Sequence, residues 1–224
     1  MKIGKALSAI GLGVLMASTY LPSVEAAEQP DRLTTRDRGG TSLTYNIHEI
    51  EKVPSHKQAV GDKYDANCAL IALTNLILYW DQKYPQLVGT DDWTRVENRL
   101  AALSNFDKQG TFYRSQYKPV LEEFIAEHGL SNYLEVKVIQ NPTYEDVERY
   151  VSQGYPVQLS FNNYSYGAVK GFGDNHSVII KGVVRMGNVK NVILRSGWKP
   201  VPDNAYHRWD DLQAKEQISV IVRK

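Results

Sequence analysis

The feature that most restricts the fold is an apolar segment, NCALIALTNLILYW, at residues 67–80. After its first two residues only Thr74 and Asn75 are polar, so a helix formed here would be apolar on nearly every face. Such a helix has no side suited to water and belongs at the centre of a domain, with other elements packed around it. The sequence therefore predicts a buried central helix, with Asp65 or Asn67 as its N-cap.

The length and net charge of the chain limit the number of domains it can form and the kinds of partner it can bind. The chain has 224 residues, of which 42% are hydrophobic and 23% charged, enough for one globular domain with a sizeable core or for two closely packed lobes. Its 26 basic and 25 acidic residues give a formal net charge of +1, and neither sign forms a long run. Composition therefore offers no support for binding to nucleic acid or to an anionic membrane surface.

The N-terminus has the three parts of an export signal. MKIGK is basic, ALSAIGLGVLMASTYL is apolar, and PSVEA ends in a small residue, Ala26, with Val24 two positions earlier. We expect cleavage after Ala26, the alternative being an uncleaved helix that stays in lipid. The predicted organisation is a signal peptide at 1–26, a flexible polar segment at 27–42 and one domain at 43–224. The mature protein is then expected to be secreted and free of the membrane.

The chain contains one cysteine, Cys68, at the start of the predicted central helix. Outside the cytoplasm a thiol tends to oxidise, and a lone cysteine has no partner for an intramolecular disulfide. Cys68 is therefore either a small buried hydrophobe or a working thiol. Its position favours the second interpretation, because the free N–H groups and the positive dipole end of a helix start stabilise a thiolate and lower the pKa of the thiol.

A thiolate nucleophile needs a partner that accepts and donates protons, and the chain offers five histidines. Four have contexts typical of surface or structural roles: His48 in a predicted strand, His56 in a loop, His128 at a helix end and His207 in a polar turn. His176 differs because it opens the β-branched segment HSVIIKGVV, so that a rigid strand would hold the imidazole beside a cleft. A purely structural histidine is the alternative.

Hydrophobic periodicity predicts helices mainly in the first part of the chain and strands mainly in the second. Beyond the central helix, amphipathic helices are predicted at 91–103, 118–129 and 143–154. Strands are predicted at 43–53, 133–139, 156–162, 176–185, 189–195 and 217–222, with Gly187-Asn188 as a hairpin turn. This order indicates an α+β domain in which an antiparallel sheet packs on a helical part.

Four segments follow one another in an order typical of a known family. They are Cys68 opening a buried helix that ends in Tyr79-Trp80, the segment EDVERYVSQGYPVQLSF, the strand HSVIIKGV from His176, and RSGW at 195–198. Together they resemble the papain-like cysteine peptidases, especially small secreted bacterial relatives of the double-glycine leader peptidases. The resemblance implies a papain-like α+β fold, in which a helical lobe with a buried central helix packs against an antiparallel β-sheet.

The resemblance also implies acyl-transfer chemistry on a protein or peptide substrate. His176 would take the thiol proton, Cys68 would attack a peptide carbonyl as a thiolate, and water would later hydrolyse the thioester. The backbone N–H of Cys68 would be one donor to the oxyanion.

Two positions depart from the pattern of the family. Family members place an amide side chain, usually glutamine, about six residues before the nucleophile, where this chain has Asp62. Gln58 is the nearest glutamine and is the expected substitute, with Asn67 as the other amide. Family members also place an asparagine or aspartate, which orients the histidine, two residues before a tryptophan. In this chain Ser196 occupies that position. Its hydroxyl is expected to accept the His176 N–H, less firmly than a carboxylate would.

Three functions remain open at this stage. They are a secreted cysteine peptidase, another acyl-transfer enzyme of the same superfamily such as a cell-wall amidase or transferase, and a catalytically weakened fold used for binding. No cofactor and no metal site are expected, since a single cysteine and dispersed histidines offer no ligand pair at a structural spacing. We expect a monomer.

The export signal leads to a direct prediction. Protein recovered from the culture medium should begin at or near Ala27, because the N-terminus carries every element of a cleaved signal. Intact-mass analysis measures this, and retention of residues 1–26 would contradict the expected localisation.

Overall fold

The computed structural model describes residues 34–36, 42–57, 68–89, 92–162, 175–199 and 201–224. The predicted signal peptide and most of the predicted flexible segment lie outside these residues, so the domain boundaries stay predictions. The helices are α1 (Cys68–Asp81), α2 (Trp93–Leu103), α3 (Phe106–Gln109), α4 (Tyr117–Glu127) and α5 (Tyr144–Val151). The strands are β1 (Thr34–Arg36), β2 (Ser42–Glu49), β3 (Leu134–Gln140), β4 (Val157–Asn162), β5 (Asn175–Met186), β6 (Val189–Arg195), β7 (Ala205–Arg208) and β8 (Lys215–Arg223).

The strands form one antiparallel sheet in the order β1-β2-β5-β4-β8-β3, and β6 joins it by pairing with β5 and β7. Side chains from the helices and the sheet belong to one continuous buried cluster. The predicted α+β architecture is therefore confirmed, and the helices and the sheet share a single core.

Helix α1 has the central position that its composition predicts. All its residues from Ala69 to Trp80 are buried, and it packs against α2 and β5. Burial on every side explains why polar residues are nearly absent from it, because each buried polar group needs a hydrogen-bond partner.

Asn75 is the polar side chain of α1 that links the helix to the preceding chain. Its amide oxygen accepts the backbone N–H of His56 at 2.9 Å, and its amide nitrogen donates to the carbonyl of His56 at 3.0 Å. The His56 ring also stacks on Trp93 of α2, with centroids 5.4 Å apart. These contacts hold His56 against the central helix and α2.

Strand β5 is the longest strand and organises the sheet. Residues 182–186 pair with both β2 and β6, and residues 179–180 pair with both β4 and β6. Strands β2 and β4 therefore share one edge of β5, while β6 lies along the other. Because β6 ends at Arg195, which pairs with Ile179, it does not cover the first residues of β5.

Most sequence predictions of secondary structure agree with the structure, including the turn at Gly187-Asn188 between β5 and β6. Gly187 has φ +56, the left-handed conformation that glycine adopts most readily in such a turn. Helix α3 and strand β7 were not predicted, because both are only four residues long and carry little periodic signal. Thr34–Arg36, inside the segment predicted to be flexible, pairs with β2.

Within the part of the chain that the structure describes, no helix is long and apolar enough to cross a lipid bilayer.

The link between α1 and His56 can be tested with two neighbouring substitutions. Asn75→Ala should lower the free energy of unfolding by about 2 kcal/mol, because it leaves two backbone groups of His56 without these hydrogen bonds. Thr74→Val should have little effect, since the buried Thr74 hydroxyl makes no hydrogen bond in the described structure. Urea denaturation measures both, and equal losses of stability would contradict the proposed role of Asn75.

Candidate active site

Cys68 is the first residue of α1 and lies against the start of β5. The backbone N–H and the hydroxyl of Ser177, and the N–H groups of Cys68 and Ala69 at the helix start, lie close enough to the thiol to act toward a lower pKa. The Ser177 N–H is available to the thiol because β6 pairs with β5 only from Ile179 onward. The edge of β5 that β6 leaves unpaired is thus the place that receives the cysteine.

The register of β5 brings His176 to the same place. Successive residues of a strand point to opposite faces of the sheet, so His176 and Ser177 flank this edge from opposite sides. His176 is buried. The structure therefore places the two residues singled out from the sequence, 108 positions apart, at one end of one strand.

The His176 ring is held by a hydrogen bond and by two aromatic rings. Nε2 lies 2.9 Å from the backbone carbonyl of Ser196. A carbonyl oxygen only accepts, so Nε2 donates, and Nδ1 carries the lone pair of the neutral ring. Trp198 packs on the imidazole with ring centroids 3.9 Å apart, and Phe161 approaches edge-on at 6.1 Å. These contacts determine both the tautomer and the orientation of the ring.

Ser196 contacts His176 through a different group from the one expected. The sequence predicts that its hydroxyl accepts the imidazole N–H, but the backbone carbonyl does so. The hydroxyl instead accepts the backbone N–H of Trp198 at 3.1 Å. The turn between them runs through Gly197, whose φ is +76. Ser196 therefore shapes the turn that presents its own carbonyl to the histidine.

Burial has opposite effects on the pKa values of the two groups. Desolvation raises the pKa of the Cys68 thiol, although part of the residue is exposed and the hydrogen bonds from Ser177 and the helix start act in the other direction. Desolvation also lowers the pKa of His176 to about 3, against a smaller opposing effect of the Ser196 carbonyl. The N–H groups of the helix start lower the pKa of the thiol as expected, but the desolvation of the thiol is the larger effect, so the net shift is upward. Both shifts favour the neutral forms, so the thiol and the imidazole are each neutral at rest.

A buried polar cluster lies beside the thiol, formed by Tyr117 of α4, Gln158 and Ser160 of β4, and Ser177 of β5. Sequence reasoning missed it. The available signal was the alternation in PVQLSFN, which places Gln158 and Ser160 on one face of a strand whose other face is apolar. We refer to these four residues as the Ser177 cluster.

Gln58, the residue expected to stabilise the oxyanion, lies outside the described residues, as do Asp62 and Asn67. The chain leading toward Gln58 is described as far as Lys57. Lys57 pairs with Asp203 at 2.7 Å and donates to the carbonyl of Val201 at 2.9 Å. This attaches the chain before Gln58 to the loop that follows Trp198.

The other four histidines lie elsewhere. His48 is on β2, and His56 is held by Asn75. His128 ends α4, where its Nδ1 lies 2.7 Å from the carbonyl of Phe124. His207 lies on β7 and not in the turn that was predicted.

In the described ranges, no group of three or more histidine, cysteine, aspartate or glutamate side chains is arranged to hold a metal ion. A cavity of about 500 Å³ lies between α2 and α4, and its lining includes Val96, Arg99 and Phe124 but neither Cys68 nor His176. We therefore treat it as separate from the candidate active site.

Comparisons with known proteins agree on one family. Residues 50–217 match the family model described as Peptidase_C39 like family. No curated protein matches the chain. Among solved structures, the chain is similar to a crystal structure named as that of a C39-like peptidase from Bacillus anthracis. The TM-score is 0.53 and the identity 15%, over 80% of this chain and 99% of that chain.

At this identity the structural match shows the fold, and it confirms the papain-like α+β architecture. The family match covers most of the chain, including Cys68, His176 and Ser196. This chain therefore belongs to the Peptidase_C39-like family, within the papain-like cysteine peptidases.

Proposed function

We propose that this protein is a secreted bacterial cysteine peptidase that hydrolyses peptide bonds, with Cys68 as nucleophile and His176 as general base. One observation carries the proposal. The thiol lies at the start of a buried helix, against the end of the strand that bears a histidine whose Nε2 donates to a carbonyl. This leaves Nδ1 as the basic nitrogen of the ring.

The proposed reaction begins from the neutral pair. Nδ1 of His176 takes the thiol proton as Sγ of Cys68 attacks the substrate carbonyl. The protonated imidazole, still bonded to the Ser196 carbonyl, then gives its Nδ1 proton to the leaving amine. Water hydrolyses the thioester with His176 again acting as base. The N–H of Cys68 and the amide of Gln58 are the proposed donors to the oxyanion.

One observation favours a second candidate, a catalytically weakened protein that binds peptides. Burial raises the pKa of the Cys68 thiol, which reduces the fraction of thiolate at neutral pH. Turnover separates the candidates: a peptidase hydrolyses a peptide in a reaction that depends on Cys68, whereas a binding protein binds the same peptide and leaves it intact.

The catalytic roles can be tested by substitution. Cys68→Ala and His176→Ala should each abolish hydrolysis of a casein-derived peptide, because nucleophile and base act as a unit. His207→Ala, a histidine change on β7, should keep the wild-type kcat/KM. Turnover of peptidoglycan fragments in place of the peptide would indicate an amidase of the same superfamily. Hydrolysis that survives Cys68→Ala would exclude the proposed chemistry.

The neutral state of His176 predicts how stability depends on pH. The unfolded chain binds a proton at this residue below pH 6.5, whereas the folded chain does so only near pH 3. The free energy of unfolding is therefore unaffected by this group above pH 6.5. It decreases as the pH falls from 6.5 toward 3, because only the unfolded chain takes up the proton in that range. Lowering the pH from 7 to 5 should cost about 2 kcal/mol through this group, at about 1.4 kcal/mol per unit.

Urea denaturation at pH 5 and pH 7 checks this dependence. His176→Gln should make the difference between the two stabilities smaller, since glutamine does not titrate. His48 and His207, whose pKa values burial also lowers, remain in both proteins and contribute equally. An unchanged pH dependence in His176→Gln would show that His176 is not held neutral in the folded state.

A further inference from the structure

The hydroxyl of Ser177 is surrounded by polar side chains that the proposed reaction does not use. It lies 3.3 Å from the Tyr117 hydroxyl, 3.4 Å from Nε2 of Gln158 and 3.2 Å from the Ser160 hydroxyl. Nε2 of Gln158 also donates to the Ser160 hydroxyl at 2.8 Å. None of the four residues of the Ser177 cluster is more than 3% exposed, so the cluster is enclosed in protein.

The donors of the Ser177 cluster allow the Ser177 proton to point at the thiol. A serine hydroxyl has one proton and two acceptor lone pairs. Gln158 donates through Nε2, and Tyr117 keeps its proton because desolvation raises its pKa to about 12. When both donate to Ser177, its lone pairs are occupied, and its single proton can point either at the Ser160 hydroxyl or at the neighbouring Cys68 sulfur.

A group of buried polar side chains next to the thiol is costly for stability, which suggests that it serves the thiol. Burying several polar groups is unfavourable unless they bond to one another, and an apolar filling of the same volume would be at least as stable. A buried thiol that must become a thiolate, by contrast, needs polar neighbours. Each donor directed at the sulfur offsets part of the free-energy cost of removing the charged sulfur from water. The cluster supplies such a donor on the side of β5 opposite to His176.

We propose that Ser177 is a further catalytic residue, whose hydroxyl stabilises the Cys68 thiolate, and that Tyr117 and Gln158 are positioning residues that direct its proton at the sulfur. The inference rests on the proposed function, since it assigns a role within the same reaction. When His176 takes the thiol proton, the hydrogen bond from Ser177 shortens onto a charged acceptor and becomes stronger.

The test measures the thiol itself and needs no substrate. The rate of alkylation of Cys68 by iodoacetamide is followed against pH in the full chain. Tyr117 on α4 interacts electrostatically with the thiol, and His176 directly precedes Ser177 on β5, so the series is repeated in a His176→Gln background to remove coupled titration.

Ser177→Ala should lower the alkylation rate about tenfold at pH values below the thiol pKa, the size expected for losing a hydrogen bond to a charged group. At high pH, where the thiol is fully ionised, the rate should approach that of the wild type. Ser177→Thr, which keeps a hydroxyl, should restore the wild-type profile. A loosened structure would instead raise the rate at every pH, because the thiol would become more accessible.

Ser219→Ala provides the matched control. Ser219 is an equally buried serine of the same sheet, on β8, and it bonds to Gln217. Its removal should leave the alkylation profile unchanged. Tyr117→Phe keeps the ring and removes one of the two donors to Ser177, so it should produce a smaller shift in the same direction. It also serves as the second variant if Ser177→Ala does not fold.

Two outcomes would overturn the proposal. One is a Ser177→Ala profile equal to those of the wild type and Ser219→Ala, and the other is a rate that rises at every pH. Failure of the proposed function is a separate result, namely no hydrolysis of any peptide by the wild type. In that case a shifted profile in Ser177→Ala would still show that the hydroxyl stabilises the thiolate.

Discussion

The edge at the start of β5 that β6 leaves unpaired is the feature on which the candidate site depends. Strands β2 and β4 lie along one side of β5, and β6 pairs with the other only from Ile179 onward, so that among the described strands none pairs with Ser177 on that side. Helix α1 must be buried because it is apolar on nearly every face, and its packing on β5 places Cys68 at this edge. One packing requirement and one strand end therefore place the thiol and the histidine at the same end of β5.

The same enclosure determines the electrostatics of the site. Desolvation opposes both charged forms, raising the pKa of Cys68 and lowering that of His176. A thiolate and an imidazolium can then form only with the help of oriented groups: the helix-start N–H groups and Ser177 for the sulfur, the Ser196 carbonyl for the ring. A site of this kind depends on groups held in place before the reaction and little on surrounding water. This arrangement is consistent with membership of a peptidase family.

Several parts of the molecule could be predicted because their signal is local. The apolar composition of residues 69–80 predicts a buried helix, period-two patterns predict the longer strands, and Gly187-Asn188 predicts a hairpin turn. Ser196 shows the limit of motif reasoning. The RSGW motif identifies Ser196 as the residue that contacts His176, but such a motif predicts only side-chain contacts. The contact is made by the backbone carbonyl of Ser196, whose direction depends on the turn through Gly197.

The sequence by itself determined the central helix, the order of helices and strands, the family, and Cys68 and His176 as the residues to examine. Only the tertiary structure decided the sign of the thiol pKa shift, because local sequence shows the donors at a helix start but not the desolvation caused by distant elements. Only the tertiary structure revealed the Ser177 cluster, whose members are separated by up to 60 positions along the chain. They meet because the pairing of β4 with β5 and the packing of α4 place them on one side of the sheet, and no local pattern encodes such pairing.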